Sequence, residues 1–451
     1  MTTRSRHSGA ALILVLWSIV ILALLAGGLS FAIRQDLAIA NLEKDRIVAH
    51  CLARAGVERA VAEIMDDTGP TDALDDTWCD NEPAMHEIEL SGGTFSVLRD
   101  GYEAMPSGWY GAGDESAKLN VNVATLEQLL KLPDMTESIA AAIIDWRDAD
   151  EEAQPDGIER GYYASLTHPY EIRNGSFRTV RELLLLRGVT PELLYGEDRN
   201  VNGLLDPNED DGDTSEPHDN SDGRLDRGWF AYVTVDSYER NVNGMGEKRL
   251  NLNQADAQEL SRRTNLEPWA AESVVKARER NQFEHLADVL EVRRDPDVRR
   301  DSDDDADYYT RGDGEKDQPV TTSIFVRIVD DLTLSDDEIL GGRINVNTAP
   351  LITLNTLPGM DNNLAEAIIR HRESLGTFTS TGQVLNVSGA TTDKFSEFEN
   401  HITVRSNVFR IQSTGVVTSG FARAAIECVV DRYAGGNGGV PRILYWLESS
   451  P

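Results

Sequence analysis

From Ala10 to Ile33 the sequence runs for 24 residues without a charge, AALILVLWSIVILALLAGGLSFAI. As an α-helix rising 1.5 Å per residue, this run would be about 36 Å long, enough to cross a bilayer core of roughly 30 Å. Arg4 and Arg6 stand just before it, so the bias of positive charge keeps the first nine residues in the cytoplasm and sends the rest outward. A chain built this way is held to a membrane near its N-terminus and exports its mass.

Composition agrees and excludes some partners. Lys+Arg number 43 against 77 Asp+Glu, a net charge of −34. Such a surface repels nucleic acid and anionic headgroups and attracts cations. At 451 residues the chain has room for two or three domains. Cys51, Cys79 and Cys428 are odd in number and unrelated in spacing, which allows one internal disulfide at most and no metal-thiolate motif; they read as small core or surface residues. The eight histidines are dispersed, and there is no nucleophile elbow, phosphate loop or zinc motif, so the sequence reads as that of a non-enzyme.

The helix is expected to continue past the membrane. Ala49, Leu52, Ala53, Gly56, Val57, Ala60 and Ile64 recur at three-and-four spacing, one narrow stripe of small apolar residues suited to close packing on a sheet or helix. Gly69-Pro70 ends it, and an acidic loop with Trp78 and Cys79 follows.

The middle of the chain repeats. Lys118-Leu-Asn120-Val-Asn122, Arg249-Leu-Asn251-Leu-Asn253 and Arg343-Ile-Asn345-Val-Asn347 each carry an Asn-x-Asn pair, with an arginine 27 residues after the first asparagine, at Arg147, Arg278 and Arg372. Between these landmarks lie two short helical patterns joined by a turn, clearest at 349–357 and 364–372 around Pro358-Gly359-Met360-Asp361. Phe378, Phe283 and, after an insertion, Phe177 each open a further apolar helix such as 178–188. Runs at 94–98, 230–236 and 324–329 read as strands preceding each copy, so strand, Asn-x-Asn turn and helical hairpin form the unit. The asparagines are expected to cap the following helix and bond the turn backbone. Strands are also expected at 408–413, 424–431 and 443–447.

One stretch carries recognisable metal chemistry. Residues 198–209 fit a twelve-residue EF-hand calcium loop: oxygen side chains at Asp198, Asn200, Asn202 and Asp206, a turn glycine at Gly203, a carbonyl at Leu204 and a bidentate carboxylate at Glu209. With no long helix on both sides, it reads as a stapled surface loop rather than a switch; the alternative is an acidic solvated loop. A second loop, with Asn220, Asp222, Arg224 and Asp226 around Gly223, keeps the register but begins with His218 and has Trp229 at position 12, so a ligand must come from elsewhere. The acidic run 301–307 has no glycine in register and reads as a solvated insertion.

The apolar run offers two processing points. Ala26-Gly27-Gly28 would suit a secretory signal, whereas cleavage between Gly9 and Ala10 would leave the helix on the mature chain. SGAALILVLWSIVILALLA resembles the leader junction of type IV prepilins and pseudopilins, cut there by a prepilin peptidase. Most such subunits carry a glutamate five residues into the mature chain; Leu14 stands here, as in the minor pseudopilin K family of type II secretion. In that family the tip subunit lacks the neighbour such a glutamate would pair with, and an unpaired carboxylate in hydrocarbon is costly. DES (114–116) before KLNVN, IIDWRDAD (143–150), YY (162–163), PYEIRN (169–174) and FRTVRELLLLRG (177–188) are similar to that family too.

The resemblance implies an α+β fold: a pilin-like long N-terminal helix on an antiparallel sheet, with inserted helix-hairpin-helix (SAM-like) repeats. It implies a leader at 1–9, the transmembrane and pilin helix at 10–65, the sheet start at 66–117, a first helical repeat with the calcium loops at 118–229, a second strand and repeat with the acidic insertion at 230–342, a third repeat at 343–400 and closing strands at 401–451. The family usually shows two hairpin regions, so 230–342 stands as an added module. Implied with it are a single pass through the inner membrane, a periplasmic body at the tip of the type II secretion pseudopilus, and pseudopilins I and J, other pseudopilins and the prepilin peptidase as partners; calcium as cofactor is expected from the 198–209 loop itself, and no nucleic acid from the acidic charge.

The rival reading is an exported, competence-like DNA-binding protein, because NVNTAPLITLNTLPGMDNNLAEAIIRHRESLGTF also resembles a helix-hairpin-helix unit. Such turns usually carry a second glycine so that backbone N–H groups can meet a phosphate. Here Met360, Asp361 and Asn362 follow Gly359, Asp134 and Glu137 mark the first copy, and Glu267-Pro268 the second, which adds repulsion or removes donors. A plain membrane-anchored calcium-stabilised scaffold is the third reading.

Overall fold

The computed structural model describes residues 8–99, 109–212, 214–298, 317–420, 422–433 and 440–449. The leader residues 1–7 and the acidic run 301–307 lie outside the described residues. Helix α1 spans Ser8–Asp66. Its first half stands free of the body, with Leu12 through Ile33 exposed. Its second half lies on a sheet whose strands are β1 (Ile88–Leu90), β2 (Gly93–Arg99), β3 (Trp109–Tyr110), β4 (Gly113–Asp114), β5 (Val408–Val417), β6 (Arg423–Asp431) and β7 (Arg442–Ser449). The main order is β1-β2-β5-β6-β7, with β3 on β2 and β4 on β5, all antiparallel. The chain leaves this sheet after β4 and returns at β5, so the helical repeats are one insertion between neighbouring strands.

The stripe on α1 is the packing face. Ala49, Leu52, Ala53, Gly56, Val57, Ala60 and Ile64 are all buried, Ala49 against Val417, Ala422 and Ala424 and the others on the side of Phe95, Val97, Phe409, Ile411 and Ile426. Two glycines set the approach: a Cβ on Gly56 would overlap Ser413 and Phe95, and one on Gly415 would overlap the α1 backbone at Ala49 and Ala53. Small residues at those places let helix and sheet meet backbone to backbone.

The insertion consists of three units, and their boundaries differ from the sequence expectation. Each Asn-x-Asn segment is itself a short strand that pairs in parallel with a strand at the end of its own unit: Leu119–Asn120 with Val233–Thr234, Leu250–Asn251 with Leu332–Thr333, and Ile344–Asn345 with Ile402–Thr403. The run at 230–236 therefore closes the first unit rather than opening the second. The run at 324–329 is not a strand: Thr322–Ile328 is helical, capped by Thr321. Its β-branched and aromatic residues fill the common core from a helix, with Phe325 and Ile328 buried. The segments after each phenylalanine are tight 3-10 turns, Val180–Leu185, Leu286–Leu290 and Thr381–Asn386, not longer helices. Residues from all three units share one continuous hydrophobic core, separate from that under α1.

The Asn-x-Asn and arginine pattern is a latch. In each unit the first asparagine's Oδ1 accepts the N–H of the second, at 2.9, 3.0 and 3.0 Å. The second asparagine then pairs with both backbone atoms of the following phenylalanine: Asn122 with Phe177 (3.0 and 2.7 Å), Asn253 with Phe283 (2.9 and 3.0 Å) and Asn347 with Phe378 (3.0 and 2.8 Å). Arg147, Arg278 and Arg372 reach back to the carbonyl between the asparagines. The asparagines do not cap the next helix; Thr125 and Asp256 do so in the first two units, and the third helix starts at Pro350 without a side-chain cap.

Candidate metal site and membrane anchor

Residues 198–209, which the sequence pattern fits to a cation loop, fold back on themselves. Asp198 is buried and its carboxylate accepts the N–H groups of Asn202 (2.9 Å) and Gly203 (3.0 Å). The amides of Asn200 and Asn202 converge on one oxygen of Asp206, at 2.7 and 2.8 Å. Glu209 is 1% exposed; Oε2 accepts the Asp206 N–H at 3.0 Å, and Oε1 has no hydrogen-bond partner. Burial, and then the Asp206 charge, hold its carboxyl above the ordinary range. A buried acid with an idle oxygen, in one short loop with two further carboxylates and two amides, is a donor set whose chemistry fits a hard cation, since amide groups can turn their oxygens inward. Asp198, Asn200, Asn202, Asp206 and Glu209 would hold calcium with their side chains and Leu204 with its carbonyl. The ion would supply the charge that lets three carboxylates share one loop.

The second loop copies the first. Val201 and Ser221, both at the fourth position, take left-handed backbone at φ 56° and 55°, and Gly203 and Gly223, both at the sixth, take 70° and 72°. Asn220 Nδ2 donates to Asp226 at 3.0 Å, and the N–H groups of Asp222 and Arg224 bond to Asn220 and Asp222. The outside carboxylates are two residues that the sequence reading missed: Glu197, which accepts the Asp226 N–H at 2.8 Å, and Asp210, which accepts the Gly223 N–H at 3.1 Å. They flank the first loop, so only the folded pairing of the loops reveals them. A tight carboxylate group at Asp148, Asp150 and Glu159, able to hold a metal, was also missed because its members are scattered along a loop. All three cysteines are free; burial pushes the thiols of Cys79 and Cys428 up to about 12.

The helical insertion is tied to the sheet by buried ion pairs. Arg410 donates to Glu115 at 2.8 and 3.1 Å and also pairs with Glu427, which accepts from Arg181 at 3.0 Å. The basic residues that open the second and third units, Arg249 and Arg343, share the buried Glu239, at 2.6 and 2.9 Å. Burial would raise Glu115 and Glu239, but the guanidinium groups outweigh it and hold both at about 2.

The third hairpin turn is closed to an anion. Gly359 sits at φ 61°, and a Cβ there would overlap the carboxylate of Glu397. Asp361 caps the next helix and ties up Lys394 at 2.6 Å.

Residues 110–196, which carry the first latch and its insertion, match the family model of type II secretion system protein K. That segment is similar to type II secretion system protein K. Residues 341–403 match the helix-hairpin-helix motif. ComE operon protein 1 of Bacillus subtilis (strain 168) is 37% identical over 65 residues, 14% of this chain and 32% of that protein, so the match spans under a third or so of the relative's length. A chain of the crystal structure of the GspK-GspI-GspJ complex from the enterotoxigenic Escherichia coli Type 2 Secretion System aligns with a TM-score of 0.37 at 13% identity, over 92% of this chain and 98% of that one. Both loops, at 198–209 and 218–226, follow the protein K segment. Gly9 and Ala10, the expected processing pair, lie in the first turn of α1, and among the described residues one helix, Ala11–Asp66, is long and apolar enough to cross a membrane.

Proposed function

We propose that this chain is a minor pseudopilin at the tip of the type II secretion pseudopilus, where it helps to initiate or cap the filament that drives protein export across the outer membrane. The match of residues 110–196 to protein K carries the reading. A bare apolar half-helix continuous with a half-helix packed on a sheet supports it, because that element can pass from the membrane into a filament. After cleavage between Gly9 and Ala10 by a prepilin peptidase, the helix would stay in the inner membrane with the body in the periplasm, as the basic residues before it favour. Neighbours would be pseudopilins I and J, the chains assembled with K in the E. coli complex. The bulk inserted between β4 and β5 would prevent subunits from adding above it. Calcium in the 198–209 loop would offset the self-repulsion of an acidic surface.

A DNA-binding role is the weaker reading, since Glu397 and Asp361 place negative charge at the third hairpin turn. The test is reconstitution: the processed protein mixed with pseudopilins I and J in detergent should sediment as one complex. Failure to associate, together with a salt-dependent shift of duplex DNA, would reverse the assignment.

A further inference from the structure

Arg227 follows the second loop but reaches the first. Its Nη2 donates to the carbonyl of Gly203 at 3.0 Å, and the same glycine's N–H is bound to Asp198 at 3.0 Å. The guanidinium is part-buried, and Nη1 has no hydrogen-bond partner. Its backbone is pinned by a bridge to Gly196, just before the first loop, and the neighbouring Asp226 N–H is held by Glu197. A fixed positive charge is thus delivered to the sixth position of a loop whose ligand positions gather negative charge.

We infer that Arg227 is a positioning residue that sets the calcium affinity of the 198–209 loop from the neighbouring loop: it holds the loop in its ion-ready turn and repels the ion that enters. The inference rests on the calcium reading of that loop. Two effects compete. The hydrogen bond to Gly203 supports the turn with or without an ion, so its loss moves stability more than affinity. The charge acts only against the bound ion. As a general scale, a unit charge and a divalent ion ~8 Å apart in bulk water repel enough to change an affinity about sixfold, and more where the effective dielectric is lower. Repulsion therefore wins, and the loop binds calcium more weakly than it would without the Arg227 charge.

The test is calcium titration calorimetry on the full-length protein in detergent, comparing wild type with Arg227→Gln, Arg227→Lys and Glu209→Gln. Arg227→Gln should bind calcium at least fivefold more tightly while its calcium-free melting temperature falls. Arg227→Lys should keep the wild-type affinity, because it keeps the charge. Equal or weaker binding by Arg227→Gln overturns the role of Arg227. A wild-type titration identical to that of Glu209→Gln overturns the calcium reading itself, a separate failure.

Discussion

Asn347 holds Phe378 by both of its backbone atoms, donating to its carbonyl at 3.0 Å and accepting its N–H at 2.8 Å. All three groups are buried. The pairing closes a loop of 31 residues and explains why a phenylalanine recurs after each Asn-x-Asn segment: the side chain fills the core while the asparagine fixes the backbone. Replacing Asn347 with alanine strands a buried donor and a buried acceptor, each costing about 1–3 kcal/mol. Asn347→Ala should therefore lower the unfolding free energy by roughly 3 kcal/mol, measured by urea denaturation. Asn122→Ala should cost less, because that side chain is only part-buried.

The contact between α1 and the sheet depends on absent side chains. Gly415→Val forces a branched side chain into the backbone of Ala49 and Ala53 and should cost about 3 kcal/mol, or prevent folding of the sheet module. Gly389→Ala is the control. Its surroundings are open, though its φ of 92° is left-handed, so only backbone strain of about 1 kcal/mol is expected. Thermal melts of the two variants should separate clearly.

The stripe on α1, the repeat spacing and the tight turn at residues 198–209 were legible in the sequence because each is a local pattern. Seven residues at helical spacing described the packing face, and twelve consecutive positions described the loop. The unit boundaries were not legible. Val233–Thr234 and Leu332–Thr333 pair with strands more than 80 residues earlier, and a two-residue strand has no periodicity to read. The run at 324–329 was misread because β-branched residues favour strands until tertiary packing overrides them, as it does around the buried Phe325. Glu197 and Asp210 stayed hidden because they reach the second loop from the flanks of the first.

Buried carboxyls give opposite pH slopes. Glu399 accepts the backbone N–H groups of Leu286 and Ala287, joining the third unit to the second, and burial pushes it up to about 8. Its folded value lies above its unfolded one, so its contribution is full below about pH 4.5 and is lost as pH rises toward 8. Glu115 and Glu239, held at about 2 by their arginines, contribute above the unfolded carboxyl value and lose that contribution as pH falls toward 2. Melting temperature should fall on both sides of mildly acidic pH. Glu399→Gln should flatten the alkaline side alone, as followed by circular dichroism from pH 3 to 9.

Calcium should act as a stabilising ligand. At a free concentration a hundred times Kd, linkage adds about 2.7 kcal/mol to the folded state. Chelation should lower the melting temperature of the wild type and leave Glu209→Gln unchanged, and it should open the 198–228 region to limited proteolysis.

The central claim is that the apolar helix is kept on a pseudopilin rather than removed or left behind a leader. The measurement that tests it most directly is the N-terminal residue of the protein recovered from membranes after co-expression with a prepilin peptidase. Ala10 is the expected terminus. An intact Met1, or a start near Gly28, would contradict it and return the chain to an anchored or secreted scaffold.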